Sequence, residues 1–184
     1  MRVIVGGVGY RNLRDHSIGV AVTDRLEAQA WPAGVIVEDL SYNPIAVGQR
    51  LDDEPADQRF QRAVVVAAVE RDGRAPGTVT AYRWDGLLPG DEDIQRAVTD
   101  AVTGVIALDN TLVVTRHFGA LPDDVVVVEV SPVAHEFGEE FSAAVSALVG
   151  PVCDLVRTLA TDDAAVEQLP WAPLGGVLSD AGMR

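Results

Sequence analysis

The 184-residue chain contains no lysine, a single cysteine and few aromatic residues. One cysteine cannot form an internal disulfide, so a disulfide framework is excluded, and Cys153 in its apolar segment is interpreted as a core residue. The most apolar run, residues 63–69, is far too short to cross a bilayer. The first residues carry no signal-peptide pattern, so we expect a cytoplasmic protein that does not enter a membrane.

Positively charged residues are also scarce: the chain has 14, all of them arginine, and its net charge is −14. An acidic surface repels a phosphate backbone, which argues against nucleic acid as a partner. The charge suits a basic protein partner, although acidic surfaces also serve solubility alone. Hydrophobic residues make up 48% of the chain and charged residues 23%, as expected for a globular domain.

Several catalytic motifs are missing as well. The sequence has no Gly-x-Ser-x-Gly, His-Glu-x-x-His or Cys-x-x-Cys pattern, so the standard hydrolase and zinc signatures are absent. The segment Gly7-Val8-Gly9 begins like a dinucleotide-binding fingerprint, but Asn12 stands where that fingerprint requires its third glycine. A dinucleotide site is therefore disfavoured.

Apolar runs and helical periodicity alternate along the chain and predict an α/β fold. We predict strands at residues 2–8, 35–38, 63–69, 78–83 and 125–130, and helices at 17–30, 91–103, 105–118 and 139–160. A further short helix follows the loop at 40–44 and ends near residue 51. The connection between 63–69 and 78–83 is too short for a helical crossover, so these two strands are expected to pair antiparallel. The prediction is a three-layer αβα sandwich with a mixed, mostly parallel central sheet. Residues 1–160 form its single domain, and residues 161–184 form a loosely ordered tail.

The loop after the first strand is the strongest candidate site. It holds Asp15 and His16 at the carboxyl end of a strand, where open α/β sheets place their functional residues. Asp15 could orient the His16 imidazole for catalysis, or it could cap the helix that follows.

Four sequence motifs, which occur along the chain in the same order as in the family, resemble those of the hydrogenase maturation proteases. The first is the strand, glycine turn and polar loop at residues 3–22, and the second is the Ala-Pro-Gly-Thr turn at 75–78. The third is Gly119 with Pro122 before the strand at 125–130, and the fourth is Gly138 with Ser142 before the last long helix. The resemblance covers residues 2–160.

The resemblance implies a function in the maturation of nickel-iron hydrogenases. Members of this family are endopeptidases that remove a C-terminal extension from the hydrogenase large subunit, so the implied partner is a large-subunit precursor. The implied cofactor is nickel that arrives with this substrate. The implied pocket lies between the first loop, Gly9 and Asp39, with Asp15 and His16 as its catalytic candidates.

The same resemblance places the family's three metal ligands on this chain. The acidic ligand of the first loop falls on His16, and the family asparagine beside it is Tyr10. The second ligand falls on Ala67 or Ala68 and the third near Gly104, and none of these residues can coordinate a metal. Because a stable site generally needs about three protein ligands, weak or absent metal binding is expected. The alternative function is therefore an inactive homologue that acts as a protein-binding or chaperone module.

Two other histidines have simpler explanations. His117 falls near a helix C-terminus, where the helix dipole favours an imidazolium. His135 precedes the acidic residues Glu136, Glu139 and Glu140 and could join them in a metal cluster. A solvated loop in front of an acid-capped helix explains the same pattern, and we favour that interpretation.

Overall fold

A six-stranded sheet forms the centre of the computed structural model, which describes residues 1–176. The strands are β1 (Val3–Val8), β2 (Val35–Asp39), β3 (Arg62–Ala68), β4 (Val79–Trp84), β5 (Asp124–Val130) and β6 (Trp171–Ala172). The helices are α1 (Ile18–Glu27), α2 (Pro44–Asp52), α3 (Asp91–Val102), α4 (Leu108–His117), α5 (Ala143–Thr161) and α6 (Asp163–Glu167), and short 3₁₀ turns cover Arg14–Ser17 and Ala56–Gln58.

The sheet is mixed and mostly parallel, with the strand order β2-β1-β3-β5-β4-β6. Parallel pairs join β1 to β2 and β3, β3 to β5, and β4 to β6. Among the described strands, β4 and β5 form the one antiparallel pair, with Val79 opposite Val130. The prediction that residues 63–69 and 78–83 pair with each other is wrong, because β5 lies between these two strands. The predicted fold class is confirmed.

Helices cover both faces of the sheet, and alternate residues of β1 point into two separate cores. Val3 and Val5 belong to the core under α1, α5 and α6, whereas Ile4 and Val8 belong to the core under α2 and α4. Strand β3 lies between β1 and β5 and is buried on both faces, as its uninterrupted apolar sequence predicts.

Glycines at the end of β1 allow α1 to lie against the sheet. A Cβ atom on Gly7 would come within 2.1 Å of the Gly19 carbonyl oxygen, and a Cβ on Gly19 within 2.4 Å of the Val8 oxygen. The glycine-rich sequence after the first strand therefore serves close packing of helix on strand. This packing brings the 3₁₀ turn before α1, which carries the candidate residues, to the carboxyl end of β1.

Helix α5 is apolar enough over its 19 residues to resemble a membrane span, with a mean hydropathy of 1.5. Its apolar side instead packs on the sheet, where Val145, Val152, Val156 and Leu159 are at most 1% exposed. Cys153 lies on the same side and is 4% exposed, as its interpretation as a core residue requires. The burial of these side chains identifies α5 as a core helix.

The prediction of a loosely ordered segment after residue 160 is wrong for residues 161–176. Asp162 caps α6 by accepting hydrogen bonds from the backbone N–H groups of Ala164 and Ala165. The chain then adds β6 to the edge of the sheet, where Trp171 lies over the Arg83 guanidinium at 4.0 Å. Residues 177–184, the rest of the predicted tail, lie outside the described residues.

Candidate functional site

A pocket of about 420 Å³ opens at the carboxyl ends of β1 and β3. Such an edge is where parallel α/β sheets place their ligands. The residues lining the pocket come from the end of β1 and the first loop, the end of β3, and the segment leading into α4: Val8, Gly9, Tyr10, Leu13, His16, Ala67, Ala68, Val69, Glu70, Val105, Ile106, Ala107, Leu108 and Asp109. Most of its wall is apolar.

The positions to which the resemblance assigned the lost ligands lie on this apolar wall. Ala67 and Ala68 form part of the lining, and so does Val105, the neighbour of Gly104. Gly9, predicted as a pocket residue, also lines it. The pocket thus contains Gly9 and His16, and its wall between β3 and α4 holds no metal ligand at the expected positions.

Polar groups instead gather at the rim of the pocket, around His16. The Nε2 atom of His16 lies 3.1 Å from Nδ1 of His135, and the same Nδ1 lies 2.8 Å from Oε1 of Glu70. One potential ligand atom from each of the three residues lies within 4.8 Å of the others. His16, Glu70 and His135 are called the rim cluster below.

The electrostatics of the rim cluster favour a neutral His16. Burial of the imidazole lowers its pKa, and the neighbouring His135 lowers it further. Glu70 and Asp15 raise the pKa of His16, but by less, so its pKa lies below the ordinary value for histidine. A neutral imidazole keeps a lone pair that can accept a proton or bind a metal ion.

Asp15, predicted as a catalytic residue, is not one of the three residues of the rim cluster. Its carboxylate is fully buried and accepts four hydrogen bonds, from the backbone N–H groups of Val133, Ala134 and Ser142 and from the Ser142 hydroxyl. Burial acts to raise the pKa of Asp15, but the bonds from Ser142, Ala134 and Val133 together outweigh it and hold that pKa below its ordinary value. All the donors belong to the segment between β5 and α5, so Asp15 is a structural anchor for that segment.

The Asp15 anchor explains why His135 meets His16, although 119 positions separate them in sequence. The segment at 131–142 is further tied to the first loop by a parallel bridge between Leu13 and Gly138. In this bridge the Arg14 N–H donates to the Gly138 carbonyl, and the Gly138 N–H donates to the Asn12 carbonyl, both at 2.9 Å. His135 is thus held beside His16 by contacts of its segment on both sides of it.

Glu70 is positioned by its sequence neighbour Arg71. The Arg71 guanidinium donates two hydrogen bonds of 2.6 Å to Asp109 on α4 and one of 2.6 Å to the buried Glu129 on β5. Glu129 is 1% exposed and also accepts hydrogen bonds from Arg74 and from the Tyr82 hydroxyl. This network fixes the backbone just beyond β3, from which Glu70 projects to the rim.

Two further residues of the sequence analysis have roles around the pocket. The Tyr10 hydroxyl accepts a hydrogen bond of 2.7 Å from the Ile106 N–H and so holds the wall before α4. Asp39, predicted as a pocket residue, instead accepts a hydrogen bond from the Ser41 N–H and pairs with Arg11 at 3.3 Å. His117 lies exposed in the last turn of α4, near a helix C-terminus as predicted.

Of the rim cluster, the sequence predicts His16 as a site residue but not its two partners. His135 has a simpler interpretation as a residue of a solvated loop, and Glu70 stands two or three positions beyond the expected ligand. The acidic residues first considered beside His135 do not join it in the rim cluster. The available sign of this cluster was that Glu70 and His135 follow two strands whose carboxyl ends share one edge of a parallel sheet.

Comparison with solved structures finds the fold of hydrogenase maturation proteases. A hydrogenase 2 maturation peptidase from Thaumarchaeota archaeon SCGC_AB-539-E09 is 27% identical, with a TM-score of 0.58 over 85% of this chain and 95% of that chain. The hydrogenase maturating endopeptidase HybD from E. coli is 24% identical, with a TM-score of 0.58 over 85% of this chain and 90% of that chain.

A third structure, the [NiFe] hydrogenase maturation protease HycI from Thermococcus kodakarensis KOD1, is 18% identical with a TM-score of 0.64, over 88% of this chain and 93% of that chain. No family model matches the chain, and no curated protein matches it. The structural likenesses confirm the resemblance to the hydrogenase maturation proteases that the four sequence motifs indicated.

Proposed function

We propose that this protein acts in the maturation of a nickel-iron hydrogenase, as an endopeptidase that removes the C-terminal extension of the large-subunit precursor. The observation that carries the proposal is the coincidence of two features: the fold of the maturation proteases, and a polar rim cluster beside an apolar pocket at the sheet edge. We place the reaction in the cytoplasm.

The pocket suits a peptide substrate. Its apolar wall, with Val8, Ala67, Ile106 and Leu108, can cover the side chains of an extended segment and exclude water from it. The net charge of −14 would favour approach by a precursor segment with basic residues.

The rim cluster supplies the chemistry that the apolar wall lacks. Peptide hydrolysis needs a group that takes a proton from the attacking water and a positive charge near the carbonyl oxygen. The imidazole of His16 and the carboxylate of Glu70 can both accept that proton. We propose that nickel arrives with the precursor, as part of the substrate, and meets the rim cluster when the precursor binds.

The second candidate function is a module that binds the precursor without cleaving it. Two observations favour it: the expected ligand positions on β3 carry alanine, and the Asp15 carboxylate is fully used by four structural hydrogen bonds. Such a protein would keep the docking pocket and act as a chaperone of the large subunit.

Incubation of the purified protein with a nickel-loaded large-subunit precursor from the same organism tests both candidates. Mass spectrometry measures loss of the extension, and size-exclusion chromatography measures complex formation. For the protease we expect cleavage that falls at least about 100-fold in His16→Ala. The matched control His117→Ala removes an exposed histidine outside the pocket and should cleave normally.

The three outcomes separate the candidates. Cleavage that depends on His16 supports the endopeptidase. A stable complex with an intact precursor, unaffected by His16→Ala, supports the binding module. Neither complex nor cleavage with a precursor that carries nickel and its extension would contradict both.

A further inference from the structure

We propose that His16, Glu70 and His135 form a binding site for one divalent transition-metal ion, such as Zn²⁺ or Ni²⁺, which the protein binds by itself without any precursor. The site goes beyond the proposed function, since it needs neither substrate nor cleavage. Two of its three ligands, Glu70 and His135, stand at positions to which the family resemblance assigns no ligand.

The distances within the rim cluster come close to those of a coordination sphere. Zinc bound by imidazole nitrogen or carboxylate oxygen at about 2.0–2.1 Å in tetrahedral geometry separates neighbouring ligand atoms by about 3.3 Å. His16 Nε2 and His135 Nδ1 are 3.1 Å apart, and His135 Nδ1 and Glu70 Oε1 are 2.8 Å apart. The third pair, His16 and Glu70, lies within 4.8 Å, so rotation of the exposed Glu70 side chain toward His16 would complete the coordination of the ion.

The hydrogen-bonding capacity of the rim cluster also points to a cation. His135 Nδ1 faces a carboxylate oxygen on one side and the His16 nitrogen on the other. When both rings are neutral, a proton on His135 Nδ1 can form a well-aligned hydrogen bond to the Glu70 oxygen or to the His16 nitrogen, but not to both. The three facing atoms therefore carry more lone pairs than there are protons between them. A divalent ion satisfies all three ligand atoms at once.

The three ligands are held by separate parts of the fold. His16 lies in the 3₁₀ turn between β1 and α1, and Glu70 lies two residues beyond the end of β3, beside the anchored Arg71. His135 lies in the segment that the buried Asp15 carboxylate holds through four hydrogen bonds. Because these elements are fixed independently of any metal, binding requires little further ordering of the backbone.

The ligand set indicates the class of metal. Two imidazoles and one carboxylate suit zinc, nickel, cobalt and copper, whereas calcium and magnesium require a shell of oxygen atoms. The His135 and Glu70 side chains are 50% and 67% exposed, so a fourth position remains open to water or to a substrate group. Three protein ligands with one open position are typical of catalytic zinc sites.

Titration of the isolated protein with Zn²⁺ by calorimetry tests the proposal, and the visible absorption of bound Co²⁺ reports the coordination. We expect one ion per chain and an affinity at least about tenfold weaker in His135→Ala and in Glu70→Gln, since each variant removes a ligand. His117→Ala is the matched control and should bind as the wild type does. Circular dichroism confirms that each variant is folded, which is expected because the substituted side chains are exposed.

The outcomes are decisive in either direction. One-to-one binding that weakens in both rim variants, but not in the control, supports the site. No saturable binding by the wild-type protein overturns it, and so does binding that His135→Ala and Glu70→Gln leave unchanged. Because no precursor is present, failure here does not bear on cleavage, and failure of cleavage does not bear on this titration.

Discussion

The buried Asp15 carboxylate offers a quantitative test of how the site is assembled. Its Oδ2 atom accepts hydrogen bonds from the N–H groups of Val133 and Ala134 and from the Ser142 hydroxyl, at 2.7–2.9 Å. Its Oδ1 atom accepts one from the Ser142 N–H at 2.7 Å. In Asp15→Asn the amide oxygen can replace Oδ2, but the amide nitrogen then faces the Ser142 N–H, so two donors oppose each other.

The expected cost follows from these contacts. A buried donor left without an acceptor costs about 1–3 kcal/mol, and the three remaining hydrogen bonds lose the strengthening that a charged acceptor gives. Since a neutral amide is cheaper to bury than a carboxylate, part of this loss is recovered. We expect Asp15→Asn to lower the free energy of unfolding by about 3 kcal/mol. At roughly 2–4 °C per kcal/mol for a chain of this size, Tm should fall by about 6–12 °C.

Urea denaturation at neutral pH, followed by circular dichroism, measures this free energy, and a thermal scan measures Tm. Asp39→Asn is the matched control, because its partly exposed ion pair with Arg11 should contribute less than about 1 kcal/mol. Asp15→Asn should also weaken Zn²⁺ binding by about tenfold, since it loosens the segment that holds His135. A loss of stability below about 1 kcal/mol would refute the role of Asp15 as the anchor of the 131–142 segment.

Two further predictions concern buried titratable groups. Burial acts to raise the pKa of Glu129, but hydrogen bonds from Arg71 and Arg74 outweigh it and hold that pKa below its ordinary value. The unfolded chain therefore binds the proton more readily, so stability is lost as pH falls below about 4.3, and Glu129→Gln should flatten this dependence in urea titrations between pH 6 and 3. An unchanged slope would contradict the prediction. Burial raises the pKa of the Cys153 thiol, so Ellman's reagent should react slowly with the native protein and fully in urea, and fast native reaction would contradict this burial.

Local patterns predicted most of the fold, because its strands are short apolar runs and its helices carry clear apolar faces. The five predicted strands agree with the observed ones to within one or two residues, as for residues 125–130 and Asp124–Val130, whereas β6 was not predicted. Helix starts were less accurate: α4 begins at Leu108, not at residue 105, and α5 begins after its cap Ser142, not at residue 139. The residues at 105–107, just before α4, belong to a loop that lines the pocket.

The pairing of β4 could not be predicted from local sequence. The short connection after β3 excluded a parallel pair between β3 and β4, and that argument is sound. The short connection, however, does not prevent a strand more than 40 residues later in the chain from lying between β3 and β4. β5 does so because it carries four consecutive valines and, like the equally apolar β3, is buried on both faces. The centre of a covered sheet is the place for such strands.

The site was half predictable for a related reason. His16 could be predicted as a site residue because it lies in the loop after β1, which begins with recognisable glycines. Glu70 and His135 follow β3 and β5, and in the observed order these strands are neighbours, so their carboxyl ends meet at one edge of the sheet. Once β3 and β5 are known to be adjacent and parallel, the convergence of the three side chains becomes an expectation. Without that pairing, His135 is only a histidine in a polar loop.

The position of the rim cluster changes what the alanines at 67 and 68 signify. Viewed as lost ligands, they predict a protein without metal chemistry. In the structure these alanines give the pocket an apolar wall. The polar groups lie beyond them, at Glu70, two or three residues further along the chain, and on the segment that Asp15 anchors. A bound peptide segment would then contact the apolar wall, and the part of it at the rim of the pocket would contact the imidazoles of His16 and His135. The tests above separate these views, since lost ligands predict no metal binding and a displaced site predicts binding that depends on His135.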